Sequence, residues 1–161
     1  MKKGCRRGHC ILVVDDEPYI RSNLYQVFQR EGFDILLAEN SEDAFQLLKK
    51  RRVSVVFSDY VMPGQSGLAF LREIKQRYPE IVRVFLSGQV DMATMKTAIH
   101  QKIVSYFLLK PWKIDILRKT LYHAIAQYEE TSTAHSLTPQ NKNRFRFDPP
   151  PKELQAGISA H

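Results

Sequence analysis

Five side chains in this sequence have the right types and placement to share one piece of chemistry. Asp15 and Asp16 stand in "ILVVDDEPYI", Asp59 in "VSVVFSDY", Ser87 in "VRVFLSG" and Lys110 in "IVSYFLLKP". Each stands at the end of a short apolar run. Adjacent carboxylates repel, and each resists ionisation beside the other, so water or a cation must screen them. Clustered carboxylates without soft ligands favour a hard cation, Mg²⁺ or Mn²⁺. Such an ion cancels the repulsion and leaves positions open for phosphate oxygens. A hydroxyl and an ammonium supply further contacts for the same oxygens. This is equipment for phosphoryl transfer, where positioning and charge neutralisation do most of the catalysis. The sequence contains neither G-x-x-x-x-G-K-[ST] nor G-x-G-x-x-G, which disfavours nucleotide binding. Without a phosphate cradle, an Asp carboxylate becomes the natural acceptor. Taken singly, an Asp at a strand end caps a helix, a Ser before Gly makes a turn, and a Lys before Pro faces solvent. The reading rests on their joint placement.

The elements that must position these groups are legible as two alternating kinds of segment. The β-rich runs are "ILVV" (11–14), "DILLA" (34–38), "VSVVFS" (53–58), "VRVFLS" (82–87) and "IVSYFLL" (103–109). Between them apolar residues recur at helical spacing. Pro18 opens the first helix, which carries Ile20, Leu24, Val27 and Phe28 and stops at Gly32. Glu17 is assigned to its first turn. Ser41 is expected to cap the second, which carries Ala44, Leu47 and Leu48. Gly67 is expected to precede the third (Leu68, Leu71, Ile74), which closes before Pro79. The fourth runs from Asp91 to His100 with Met92, Met95 and Ile99. The fifth runs from Trp112 to about Tyr128 and is expected to bury Ile114, Leu117, Leu121 and Ile125. Continuous apolar strands alternating with helices predict an α/β fold, a doubly wound (βα)5 five-stranded parallel sheet. Sites in such folds gather at the carboxyl ends of the strands, where the five groups stand.

Other functions are disfavoured by composition. The formal net charge is +7, concentrated in Lys2, Lys3, Arg6 and Arg7, in "KKRR" at 49–52, and in the tail. No helix-turn-helix, zinc finger or aromatic-plus-basic signature accompanies it, so a solvated basic surface is expected rather than a nucleic-acid site. Cys5 and Cys10, with His9, are too few for zinc and read as reduced thiols in a frayed N-terminus. No apolar run is long enough to span a bilayer or act as a secretory segment, so a cytoplasmic protein without membrane partners is expected. Residues 1–9 read as a basic arm, 10–129 as the folded domain, and 130–161, rich in Thr, Ser, Asn, Gln and Pro, as a linker or mostly disordered tail.

The segments "ILVVDDEP", "SDYVMPGQSG", "FLSG" and "FLLKPW" together resemble the response regulator receiver domain, in order and at family spacing. The resemblance covers roughly residues 10–129, and only the joint match is specific. It implies a flavodoxin-like receiver fold with Asp59 as phosphoacceptor. It implies that Asp16, Asp59 and the backbone carbonyl of Val61 ligate Mg²⁺, with Asp15 acting through water. Ser87 matches the switch hydroxyl, Lys110 the phosphate-pairing lysine and Phe107 the switch aromatic. Tyr106 should face the other way. A cis bond before Pro111 would aim Lys110 inward. The implied partners are a sensor histidine kinase or phosphotransfer protein, and an output domain or second copy. The output surface would lie on helix four, strand five and helix five, with Lys96, His100, Lys102, Tyr106 and Arg118. Val61, two after the acceptor, has no polar group to place a hydrolytic water, so the phosphorylated lifetime should not be among the shortest.

Two other classes compete. A pseudo-receiver would bind partners without taking phosphate. A haloacid-dehalogenase-like hydrolase would use Asp59 or Asp15 as nucleophile, but wants Asp-x-Asp at strand one. No metabolic enzyme is expected in this chain beyond self-catalysed phosphorylation and dephosphorylation of Asp59. Finally, "PPPKELQAGISAH" (149–161) resembles the lead-in to an EAL-type cyclic di-GMP phosphodiesterase domain, which would lie beyond the chain end.

Overall fold

The computed structural model describes residues 8–89 and 91–136. Its elements alternate strictly: β1 (Cys10–Val14), α1 (Pro18–Arg30), β2 (Asp34–Ala38), α2 (Ser41–Lys50), β3 (Val55–Asp59), α3 (Gly67–Arg77), β4 (Val82–Ser87), α4 (Met92–His100), β5 (Tyr106–Leu109) and α5 (Ile114–Ser136). The strands form one parallel sheet in the order β2-β1-β3-β4-β5. This is the doubly wound (βα)5 parallel sheet expected from the pattern, in the flavodoxin-like receiver arrangement that the resemblance implies.

Strand alternation sends side chains into two separate cores. Leu12, Val14, Val56, Phe85 and Phe107 pack with Phe70, Leu71, Ile74, Met95 and Ala98 on the face covered by α2, α3 and α4. Ile11, Val13, Phe57, Val84 and Leu108 pack with Leu24, Phe28, Leu117, Leu121 and Ala124 under α1 and α5. β1, β3 and β4 are buried along their whole length, which is why they read as unbroken apolar runs. Tyr106 and Phe107 go to opposite faces, as period-two geometry requires. Arg83 is a buried charge within β4. Its guanidinium donates to the carbonyls of Ile81, Ile103 and Lys102, closing the α4–β5 connection onto β4.

Several boundaries differ from the sequence reading. Asn40, not Ser41, caps α2, because its carboxamide oxygen accepts the Asp43 amide at 2.8 Å. Ser66 caps α3, and Gly67 is already helical. Glu17 occupies the α1 cap position, but its side chain caps nothing. β5 begins only at Tyr106, because the Ile103 and Val104 amides bond back to the Ala98 carbonyl and finish α4. α5 continues to Ser136, beyond the expected end near Tyr128. Ile114, Met92 and Ile99 are exposed rather than buried: Leu117, Leu121 and Ile125 cover the sheet from α5, and Met95 and Ala98 from α4. Gly32 does end α1, with φ +87° and its amide on the Gln29 carbonyl. Cys10 is a buried β1 residue with a free thiol, not part of a frayed end; Cys5 lies outside the described residues. His9 is likewise held, between Ser54 Oγ at 3.0 Å and Glu129 Oε1 at 2.9 Å.

Candidate functional site

The strand order reverses direction between β1 and β3, and the crevice outside their carboxyl ends is where such sheets bind ligands. Register does the positioning. Val14 is level with Ser58, so one further residue on each chain sets Asp15 beside Asp59. Asp59 is level with Leu86 and Ser87 with Leu109, which brings Lys110 to the same rim. The Lys110 amide donates to the Ser87 carbonyl at 2.7 Å, and the Lys110–Pro111 peptide bond is cis.

One oxygen from each of Asp15, Asp16 and Asp59 falls within 4.8 Å of the others. Asp15 and Asp59 are buried, and Asp16 is exposed. Lys110 Nζ reaches between them, 3.1 Å from Asp59 Oδ1 and 3.3 Å from Asp15 Oδ2. Burial pushes the Asp15 carboxyl above its ordinary pKa. The Asp59 charge adds to that, while the Glu17 amide and Lys110 oppose it. Burial likewise raises Asp59 against the pull of Lys110, with Asp16 adding a smaller upward push. Burial alone would lower the Lys110 ammonium, but the charges of Asp15 and Asp59 outweigh it and the net direction is up. One lysine thus faces three carboxylates, an arrangement that still lacks positive charge.

The surrounding backbone is closely built. The Asp15 amide donates to the Ala38 carbonyl at 3.1 Å, and Asp15 Oδ1 accepts the Glu17 amide at 2.9 Å. The Tyr60 amide donates to Leu86 at 3.0 Å and the Gly67 amide to the Tyr60 carbonyl at 2.8 Å, folding the β3–α3 loop back over the acid. Val61 is 69 % exposed on that loop. A depression lined by Asp16, Glu39, Asn40, Pro63 and Gln65 opens beside the carboxylates. A cavity of about 590 Å³ between Leu48–Val53, Tyr78–Ile81 and Thr131–Ser132 lies at the opposite, amino end of the sheet, away from this chemistry.

Of the residues singled out from sequence, Asp15, Asp16, Asp59 and Lys110 come together directly. Ser87 stands at the adjoining strand end, but its Oγ accepts the Gln89 amide at 3.1 Å and thereby faces its own loop. The Phe107 ring lies inside, 7 % exposed and stacked on Phe85 at 5.4 Å. Arg118 does not face the expected α4–β5–α5 surface. Its Nε pairs with Glu31 at the end of α1, at 2.8 Å. Two residues escaped the sequence reading: Arg21, which grips the Asp15 carbonyl at 2.7 Å, and Gly67, packed on the Asp59 carbonyl. A cation one turn into an amphipathic helix looks solvated in sequence, and a glycine near a helix start looks like punctuation.

The donor set suits Mg²⁺ or Mn²⁺, since every side-chain ligand available in the cluster is a carboxylate oxygen. Among the described residues no helix is long and apolar enough to cross a membrane.

Known proteins resemble this chain in sequence and in fold. The hydrogenase transcriptional regulatory protein HoxA of Cupriavidus necator is 36 % identical over 127 residues, 79 % of this chain and 26 % of that protein. The DNA-binding transcriptional regulator NtrC of Escherichia coli is 32 % identical over 120 residues, 74 % of this chain and 25 % of its own length. The chain thus spans about a quarter of the curated relatives it matches. The crystal structure of the signal receiver domain of an HD domain-containing protein from Pseudomonas fluorescens Pf-5 superposes with a TM-score of 0.73 at 30 % identity, covering 77 % of this chain and 99 % of that one. Residues 11–122 match the response regulator receiver domain as a family, and this chain belongs to it.

Proposed function

We propose that this domain accepts a phosphoryl group on Asp59 from the phosphohistidine of a sensor kinase or phosphotransfer protein. The observation that carries this reading is Lys110 Nζ bridging Asp59 and Asp15 inside a cluster of three carboxylates. An Asp59 oxygen attacks phosphorus, the P–N bond to the donor imidazole breaks, and the imidazole leaves with the electron pair and takes a proton. Asp16, Asp59 and the Val61 carbonyl would hold Mg²⁺ or Mn²⁺, with Asp15 acting through water. The ion would neutralise charge on the transferring phosphoryl oxygens. Lys110, already placed against Asp59, pairs with one of those oxygens once the carboxylate has become an acyl phosphate.

Ser87 then leaves the Gln89 amide and donates its hydroxyl to a phosphoryl oxygen. Phe107, stacked inside on Phe85, repacks around the vacated space. The change biases the surface of α4, β5 and α5 between two states, read by an output domain, a partner or a second copy. On this reading the domain is a cytoplasmic signalling module. It has no turnover beyond making and hydrolysing its own aspartyl phosphate, and hydrolysis is not among the fastest because Val61 presents no polar group to place the water. The segment resembling an EAL lead-in lies outside the described residues.

Acetyl phosphate with Mg²⁺ tests the reading. Intact-mass measurement should show one added phosphoryl group in the wild type and none in Asp59→Ala. No gain in the wild type would make the domain a pseudo-receiver. An equal gain in Asp59→Ala would move the acceptor elsewhere. A haloacid-dehalogenase-like use of Asp15 is disfavoured by its complete burial and its bond to the Glu17 amide.

A further inference from the structure

Arg21 lies in the first turns of α1, outside the carboxylate cluster, with its side chain only 12 % exposed. Nη1 donates to the Asp15 backbone carbonyl at 2.7 Å, and Nη2 to Glu39 Oε1 at 3.2 Å. The fork therefore ties the β1–α1 loop to the end of β2. The Asp15 carbonyl belongs to the peptide plane that carries the Asp16 amide, and that plane is rigid. Asp16 is exposed, and among the described residues no hydrogen bond holds its carboxylate. Its placement is thus inherited from its backbone, and Arg21 grips that backbone one atom before Asp16 begins. A largely buried guanidinium fixed at two acceptors loses little further freedom while holding this geometry.

We infer that Arg21 is a positioning residue that holds the Asp15–Asp16 peptide, and with it the Asp16 carboxylate, in the geometry a divalent cation needs. This rests on the proposed metal-assisted phosphoryl transfer. It also opposes simple electrostatics. A guanidinium close to a cation site repels the incoming cation, so an arginine acting only through its field would weaken metal binding. Positioning and field effects therefore have opposite signs when Arg21 is removed, which makes them separable.

Mg²⁺ titration by isothermal calorimetry on the full chain compares the wild type with Arg21→Ala and Arg21→Lys. Positioning predicts that Arg21→Ala binds Mg²⁺ roughly 10-fold more weakly, the scale seen when an outer partner of a metal ligand is lost. Arg21→Lys keeps the charge but not the fork, and should also bind more weakly, by roughly 3-fold, since one donor can still reach the carbonyl. Acetyl phosphate labelling gives a second readout. The Mg²⁺ concentration for half-maximal rate should rise with the loss of affinity, while the rate at saturating Mg²⁺ stays within roughly 2-fold. Equal or tighter Mg²⁺ binding in Arg21→Ala overturns the inference. Should that variant not fold, wild-type affinity in Arg21→Lys overturns it alone. Absence of Mg²⁺ binding in the wild type overturns the functional reading instead.

Discussion

Gly67 packs so closely on Asp59 that a Cβ at position 67 would lie 1.7 Å from the Asp59 carbonyl oxygen and 2.9 Å from the Tyr60 Cα. Both obstacles are backbone, so neither can rotate away. The Gly67 amide also donates to the Tyr60 carbonyl, which locks the β3–α3 loop over the acid. Gly67→Ala must push α3 off the end of β3. It should cost about 3 kcal/mol of stability by overpacking, and it should slow labelling of Asp59 by acetyl phosphate even at temperatures where the variant is folded. Urea melts and labelling rates check both parts. Wild-type stability would show that the loop yields more easily than the geometry implies.

Lys110 is the cation that separates Asp15 from Asp59. Lys110→Met leaves two buried carboxylates facing each other with Asp16 alongside. Breaking a buried pair in this way costs about 3 kcal/mol, the lower end of the usual range because the ammonium is partly solvated. In metal-free buffer at neutral pH the variant should melt well below the wild type. Added Mg²⁺ should recover part of the loss, because a divalent cation supplies the missing charge. Recovery with K⁺ at matched ionic strength would instead show general screening.

Stability should depend on pH in a way that Mg²⁺ reverses. The carboxyls of Asp15 and Asp59 are raised in the folded state, chiefly by burial. The folded protein therefore binds these protons more tightly than the unfolded chain. That contribution is fully present below the unfolded carboxyl value, about 3.9, and is lost as pH rises through the folded values. Above those folded values the metal-free protein carries the whole cost of the ionised pair. Mg²⁺ requires the ionised form, so its stabilising effect should be least below the unfolded carboxyl value and should grow as pH rises through the raised folded values. At 100-fold excess over the dissociation constant it reaches about 2.7 kcal/mol. Thermal melts with and without Mg²⁺ across this range test the slope. A Mg²⁺ effect independent of pH would place the ion elsewhere.

Arg83 is a structural charge. Burial lowers its pKa to about 10, partly offset by Glu80, so it stays protonated at neutral pH. Arg83→Met strands the carbonyls of Ile81, Lys102 and Ile103. At 1–3 kcal/mol for each orphaned acceptor, and with water reaching the partly exposed one, the loss should be about 3 kcal/mol. Hydrogen exchange of the Ile103, Val104 and Ser105 amides should rise first, since the guanidinium pins this connection. Unchanged protection there would mean the carbonyls find other donors.

Much of this protein is written in local pattern. The five strands and five helices follow from apolar runs alternating with helical spacing, because burial on two faces demands continuous hydrophobic strands. The acids, the hydroxyl and the lysine could be placed at strand ends from sequence, because a parallel sheet aligns all its carboxyl ends. Residue type alone set the preference for a hard cation. Other features depended on distances across the fold. Whether Asn40 or Ser41 capped α2 turned on which oxygen met the Asp43 amide. Arg118 looked like part of the output surface until Glu31 drew it to α1. Ile99 and Ile114 fit their apolar stripes yet remain exposed, since periodicity reports a face and not how far the packed layer extends. The grip of Arg21 on Asp15, the contact of Gly67 with Asp59 and the inward ring of Phe107 arise from tertiary packing. Sequence spacing states what a strand end carries. Only the folded chain brings the register and neighbours that decide how tightly each group is held.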